Sequence, residues 1–167
     1  MTRLAIAALT PSHWESVRDI YLEGIATGNA TFEATAPDWA EWDAGHTADC
    51  RLVALSDGAV VGWAALSPVS RRAVYRGVAE VSVYVREDTR GRGVGRRLLA
   101  ALIEASEAAG YWTLQASVFL ENMSTIRLHR SLGFREVGRR ERVGVHHGGW
   151  RDTMLLERRS AVVGTQP

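Results

Sequence analysis

Between Val83 and Arg97 the chain runs Val-Tyr-Val-Arg-Glu-Asp-Thr-Arg-Gly-Arg-Gly-Val-Gly-Arg-Arg, a β-rich stretch joined to helical spacing through Gly91, Gly93 and Gly95, with arginines on both sides. Glycines let a backbone turn its N–H groups toward a ligand at close range, and a helix that starts there adds unpaired donors and a partial positive charge. The chemistry this suits is the holding of a diphosphate. The same residues would also make a tight strand-to-helix turn carrying solvated arginines. Two phosphate motifs are excluded by spacing: no Lys-Ser or Lys-Thr follows Gly95, as GxxxxGK[ST] requires, and the three glycines are spaced GxGxG rather than GxGxxG.

The surrounding pattern predicts what must carry that loop. Val78 to Val85 alternates as a strand leading into it, and Val94, Leu98, Leu99, Leu102 and Ile103 repeat at helical spacing until Gly110. Upstream, Leu4 to Leu9 reads as a strand, and Trp14, Val17, Ile20 and Tyr21 as one helical face. Asp38 to His46 reads as a short helix, and Leu52 to Leu55 and Val60 to Leu66 as a hairpin about Asp57-Gly58. Downstream come a strand from Trp112 to Phe119, a helix capped by Asn122 and ending at Gly133, and strands Phe134 to Val145 and Trp150 to Glu157. The order β-α-(α)-β-β-β-α-β-α-β-β describes an α/β fold with a mixed sheet covered by helices on both faces. Residues 1–159 make one domain, and 160–167 read as a loose tail.

Composition narrows the function. The chain has 167 residues, 46% of them hydrophobic, enough for one core and too few for two comfortable domains. Twenty basic and nineteen acidic residues leave a net charge of +1, so no global field would hold a nucleic acid or an anionic membrane, and any anion site must be local. The single cysteine, Cys50, excludes an internal disulfide and multi-thiolate metal sites, and fits a cytoplasmic compartment. Met1 to Leu9 lacks a long apolar region and a small-residue cleavage pattern, and no later run is long enough to span a bilayer.

Two segments resemble a known superfamily. Arg90-x-x-Gly93-x-Gly95 is similar to the R/Q-x-x-G-x-G/A acyl-CoA signature of the GNAT acetyltransferases, and Glu121 to Phe134 (ENMSTIRLHRSLGF) resembles their E-N-x-x-S-I-x-L-H/Y-x-x-L-G-F segment. Thr31-Phe32-Glu33, Arg72-x-x-Tyr75, Ala79 to Tyr84 and Gly149-Trp150-x-Asp152 resemble the branch containing phosphinothricin and methionine sulfoximine acetyltransferases. The chain departs from that branch at Arg72-Ala73-Val74-Tyr75, where many relatives have Arg-Pro-Ala-Tyr, and at Val78-Ala79, where they have Thr-Val.

The resemblance implies a GNAT fold, acetyl-CoA as co-substrate with no metal, a small-molecule amine as acceptor, and a homodimer. It assigns the pantetheine arm to the backbone of Val83, Tyr84 and Val85, and the pyrophosphate to Arg90, Gly91, Arg92, Gly93, Val94, Gly95 and Arg96. Asn122 and Ser131 are further coenzyme candidates, although Asn122 reads equally as a helix cap and Ser131 as an exposed helical serine. Glu80 is the implied general base, since much of an α-amino group with a pKa of roughly 7.7–8.0 must lose a proton before it attacks a thioester. A backbone N–H of the same strand would stabilise the developing oxyanion. His129 stands where many relatives carry the tyrosine that protonates the leaving thiolate. Phe32, Glu33, Arg72, Ala73, Val74, Tyr75 and Trp150, with Glu80, are the acceptor-binding candidates. Three other readings stay open: a peptide or protein N-acetyltransferase, a non-catalytic acyl-CoA-binding module, and, remotely, a nucleic-acid binder using Arg90, Arg92, Arg96 and Arg97.

Overall fold

The computed structural model describes residues 3–167, so Met1 and Thr2 of the N-terminal run and of the expected domain lie outside the described residues. Seven strands among these form one sheet: β1 (Leu4–Ala8), β2 (Leu52–Ser56), β3 (Ala59–Pro68), β4 (Val78–Val85), β5 (Thr113–Phe119), β6 (Arg135–His146) and β7 (Gly149–Arg159). Their spatial order is β1-β2-β3-β4-β5-β7-β6, antiparallel throughout except for the parallel pair β4–β5. Helices α1 (Trp14–Ala26), α2 (Trp39–Gly45), α3 (Val94–Ala108) and α4 (Met123–Ser131) complete the α/β fold in the expected order.

The alternation of β3 shows how the layers form. Trp63 and Ala65 pack with Val17, Ile20 and Tyr21 of α1 and Trp42 of α2, while Ala64 and Leu66 pack on the other face with α3 and α4. Leu98, Leu99 and Leu102 of α3 are fully buried there, each contributing about 1.5–3 kcal/mol of apolar burial. The short α2 starts at a reciprocal cap, in which Glu41 N donates to Asp38 Oδ1 (2.9 Å) and Asp38 N to Glu41 Oε2 (3.2 Å).

One feature of the sheet places the site. The parallel pairing of β4 and β5 covers only Val78↔Thr113, Ala79↔Leu114 and Glu80↔Gln115. Beyond Glu80 the strands part, and the β4 edge from Val81 to Val85 faces the gap without a strand beside it. At the C-terminus, Ser160 is buried and its hydroxyl donates to Glu107 Oε1 (2.9 Å), while Arg159 donates to the carbonyls of Val163 (2.9 Å) and Gly164. Residues 160–164, which the sequence suggests are loose, are therefore tied to the domain.

Candidate active site

A cleft of about 1210 Å³ opens where β4 and β5 part. Its walls are Glu80 to Val85 of β4, Ala116 to Phe119 of β5, the loop Asn29–Pro37 apart from Ala34, and part of α4. The glycine segment closes one end: Arg90, Gly91, Gly93, Val94, Gly95 and Arg96 all line it. Gly93 stands just before α3 with φ 82°, in the left-handed region where a Cβ costs about 1–2 kcal/mol. No atom lies within 4 Å of where that Cβ would stand, so the glycine is required by backbone conformation and leaves the space before it open. The first-turn N–H groups of α3 have no intrahelical partners and give this end of the cleft an excess of donors.

The arginines of the segment divide. Arg90 is drawn back onto the end of β4, its Nε donating to Val85 O (3.1 Å). Arg96 Nη1 donates to Ser131 Oγ (2.6 Å), and that hydroxyl donates to Leu128 O (2.7 Å), tying α3 to α4. Ser131 itself does not line the cleft, and Arg92 faces a separate depression with Leu4 and Thr89. Asn122 caps α4 by accepting from Thr125 N (3.3 Å), as its residue type suggests, and its Nδ2 also donates to Asn29 O (3.2 Å).

Glu80 sits half-buried at the point where the strands part. Gln115 Nε2 donates to its Oε2 (2.9 Å), and Ser67 of β3 lies directly across from it. Gln115 carries no motif, and only the β4–β5 register reveals its role. Tyr84 stacks on Trp63 (ring centroids 4.8 Å apart) and meets Tyr21 edge-on (4.9 Å). Burial pushes both tyrosine hydroxyls up, and the carboxylate of Glu33, which also lines the cleft, adds to the effect.

His129 lines the cleft and is buried against the edge of Phe134. Its Nδ1 lies 2.8 Å from Thr125 O, and a carbonyl only accepts, so Nδ1 carries the proton of the neutral ring. Nε2 is then a bare acceptor, without a hydrogen-bond partner. Burial holds the imidazole below its ordinary pKa. A resting His129 thus has no proton on Nε2 to give.

The cleft gathers Phe32, Glu33 and Glu80 but not the remaining acceptor candidates. Arg72, Ala73, Val74 and Tyr75 precede β4 in a segment that folds on itself: Tyr75 N donates to Arg72 O (3.0 Å), and the Arg72 guanidinium lies over the Tyr75 ring. Trp150 is 63% exposed at the tip of the β6–β7 hairpin. The cationic side chains among the lining residues are Arg90 and Arg96, both at the glycine end, whereas Glu33, Glu41, Glu80 and Glu121 line the rest, with His46 held neutral by burial. Among the described residues, no group of three or more His, Cys, Asp or Glu gathers as for a metal ion, and no helix is long and apolar enough to cross a membrane.

A forked parallel pair with a glycine cradle at one end is what an acyl-coenzyme enzyme needs, and residues 14–134 match the Acetyltransferase (GNAT) family. The chain belongs to that family and is an acetyl-CoA-dependent N-acetyltransferase. It is 35% identical over 144 residues to the L-methionine sulfoximine/L-methionine sulfone acetyltransferase of Pseudomonas paraeruginosa, covering 83% of this chain and 84% of that protein. With the phosphinothricin N-acetyltransferase of Alcaligenes faecalis it shares 36% over 152 residues, 86% of this chain and 76% of the relative. The crystal structure of a GNAT superfamily phosphinothricin acetyltransferase from Sinorhizobium meliloti in complex with acetyl-CoA superposes with a TM-score of 0.88 at 31% identity, covering 98% of this chain and 92% of that one.

Proposed function

We propose that the protein transfers an acetyl group directly, in a ternary complex, to the α-amino group of a small amino acid or analogue such as phosphinothricin, methionine sulfoximine or methionine sulfone, with Glu80 as general base. The observation that supports this most is the position of Glu80, oriented by Gln115 where β4 and β5 part. An acceptor amine beside the free edge of β4 would lie within reach of that carboxylate.

The open cradle at Gly93 and the donors of the first turn of α3 suit the pyrophosphate of coenzyme A. Gly91, Gly93, Val94, Gly95 and Arg92 would serve through backbone, and Arg90 and Arg96 through side chains held by Val85 O and Ser131. The unpaired edge of Val83, Tyr84 and Val85 would hold the pantetheine amides, with Asn122 at the far wall. Bound acetyl-CoA supplies the thioester acyl group. Glu80 takes a proton from the acceptor ammonium, directly or through one water, and a β4 backbone N–H donates to the acyl oxygen as charge gathers there. His129 is the titratable side chain of α4 that lines the cleft, and it donates to the departing sulfur only after Nε2 has gained a proton.

Phe32 and Glu33 shape the acceptor side from the loop after α1. Arg72, Ala73, Val74, Tyr75 and Trp150 keep a place as acceptor residues through the likeness to relatives alone. We also propose a cytoplasmic homodimer, for which exposed Val137, Val143, Val145 and Trp150 on β6 and β7 offer an apolar surface. A mass measurement in solution decides that point.

One observation favours a second acceptor. A free amino acid brings a carboxylate, yet the cationic side chains of the cleft stand only at its coenzyme end. The amino terminus of a peptide has no adjacent carboxylate and would suit Glu33 and Glu80 better. The test is thiol release from acetyl-CoA with phosphinothricin, methionine sulfoximine, methionine sulfone, ordinary amino acids, a polyamine and a peptide. Turnover with an amino-acid analogue supports the first reading; turnover with the peptide alone overturns it in favour of the second.

A further inference from the structure

We infer that Arg151, to which the reading above gives no role, is a positioning residue: it holds the loop Gly28–Glu33 across the fork between β4 and β5 and so builds the acceptor wall of the cleft. The inference rests on the reading of Phe32 and Glu33 as acceptor residues.

The loop's own hydrogen bonds are two short local ones, Asn29 N donating to Thr27 Oγ1 (3.2 Å) and Glu33 N to Thr31 Oγ1 (3.1 Å), and neither ties it to the sheet. Among the described residues, positions 29–37 make no backbone–backbone hydrogen bond and belong to no helix or strand. Arg151 reaches it from β7. Its Nη1 donates to Gly28 O (2.9 Å) and its Nη2 to Asn29 Oδ1 (2.9 Å). The same guanidinium donates to Glu121 Oε2 (3.1 Å) and His146 Nδ1 (3.1 Å), and its Cζ lies 3.9 Å from the centre of the Phe119 ring.

Four donations and a ring contact from one planar group, whose side chain is only 18% exposed, are more than a solvated surface arginine makes. They join the loop to the ends of β5 and β6. Asn122 adds a second tie through Asn29 O (3.2 Å). Three residues on, the Phe32 ring meets Phe119 edge-on (4.6 Å) and lies so close to Gly144 that a Cβ there would come within 2.7 Å of it. Glu33 follows directly. An error of position at Asn29 would therefore pass straight to the acceptor wall, and small misplacements of this kind are costly to turnover.

The test compares full-length wild type with Arg151→Met and Asn29→Ala by hydrogen exchange, acetyl-CoA titration and acceptor kinetics. Arg151→Met should speed exchange in residues 27–35 about tenfold while exchange in α3 stays as in wild type, and raise acceptor KM about tenfold with acetyl-CoA Kd within about twofold. Asn29→Ala should show a smaller effect in the same direction, and the double variant should be no worse than Arg151→Met alone. Unchanged exchange in 27–35, an equal rise throughout α3, or strictly additive variants would overturn the tether. Faster loop exchange with an unchanged acceptor KM would overturn the acceptor role of the wall. If wild type turns over none of the amino-acid panel, the proposed function fails, and the exchange measurement still decides the tether.

Discussion

Gln115 Nε2 donates to Glu80 Oε2 at 2.9 Å, across the last register pair of β4 and β5 before the strands separate. A hydrogen bond to a carboxylate is stronger than one between neutral groups, and here it spans two strands rather than two neighbours in sequence. The sheet's own geometry thus aims the carboxylate at the mouth of the fork. A solvated outward glutamate, the ordinary state of such a strand residue, would have no such partner.

Glu80→Gln keeps the shape and an acceptor for Gln115 but removes the carboxylate proposed as base. Turnover should fall about 10²–10³-fold while acetyl-CoA affinity holds within about twofold. Gln115→Ala removes only the orientation and should cost less than Glu80→Gln. The measurement is thiol release across pH, with coenzyme affinity by titration. Wild-type turnover of Glu80→Gln at every pH would take Glu80 out of catalysis.

Gly93 and Gly110 flank α3, both at positive φ (82° and 90°) and both with open space where a Cβ would stand. Substitution by Ala at either should cost about 1–2 kcal/mol through the left-handed backbone. Only Gly93→Ala should also weaken acetyl-CoA binding, by about tenfold or more, because its methyl group intrudes on the cradle. Parallel melting and titration of the two variants separate strain from ligand contact. Equal coenzyme affinity in both would reduce the glycine segment to a turn.

Cys50 bears on whether an acyl group ever rests on the protein. Its thiol is buried outside the cleft, and burial, reinforced by Asp49, pushes it up to about 12, far from the thiolate a nucleophile needs. Cys50→Ala should keep turnover within about twofold, and iodoacetamide should label the folded protein slowly at neutral pH. Complete loss of turnover would contradict direct transfer.

What sequence could disclose was what is local. Glycine spacing and the 3.6-residue period of Val94 to Ile103 point to the cradle and its helix, and Asn122 announces its cap. Partners distant in sequence stayed hidden: Gln115 meets Glu80 across 35 residues, and Arg151 meets Gly28 across 123. Sheet register and the path of a loop without secondary structure decide those meetings, and no motif encodes either. Ser160 read as tail for the same reason, since its partner Glu107 lies on α3. Arg72 and Tyr75 show the converse, because a motif can match a family while its own turn closes on itself, clear of the cleft.

The partly buried His46 and the buried His129 give the fold a pH dependence whose sign can be worked out, and the buried His146, also held below its ordinary value, adds to it in the same direction. His46 Nδ1 donates to Trp42 O (2.6 Å) and His129 Nδ1 to Thr125 O (2.8 Å), and burial holds both rings below the ordinary histidine value. Below a pH of about 6.5 the unfolded chain binds protons that the native rings refuse. Stability is therefore full above that value and declines as pH falls toward each native pKa. The melting temperature should drop between about pH 7 and pH 5, and His46→Phe and His129→Phe should each flatten part of that slope. Catalysis offers an independent readout: if sulfur departure needs a proton on His129 Nε2, His129→Phe should lose turnover most on the acidic side, where wild type still carries that proton. A uniform loss across pH would instead mean that the ring only fills the wall of the cleft.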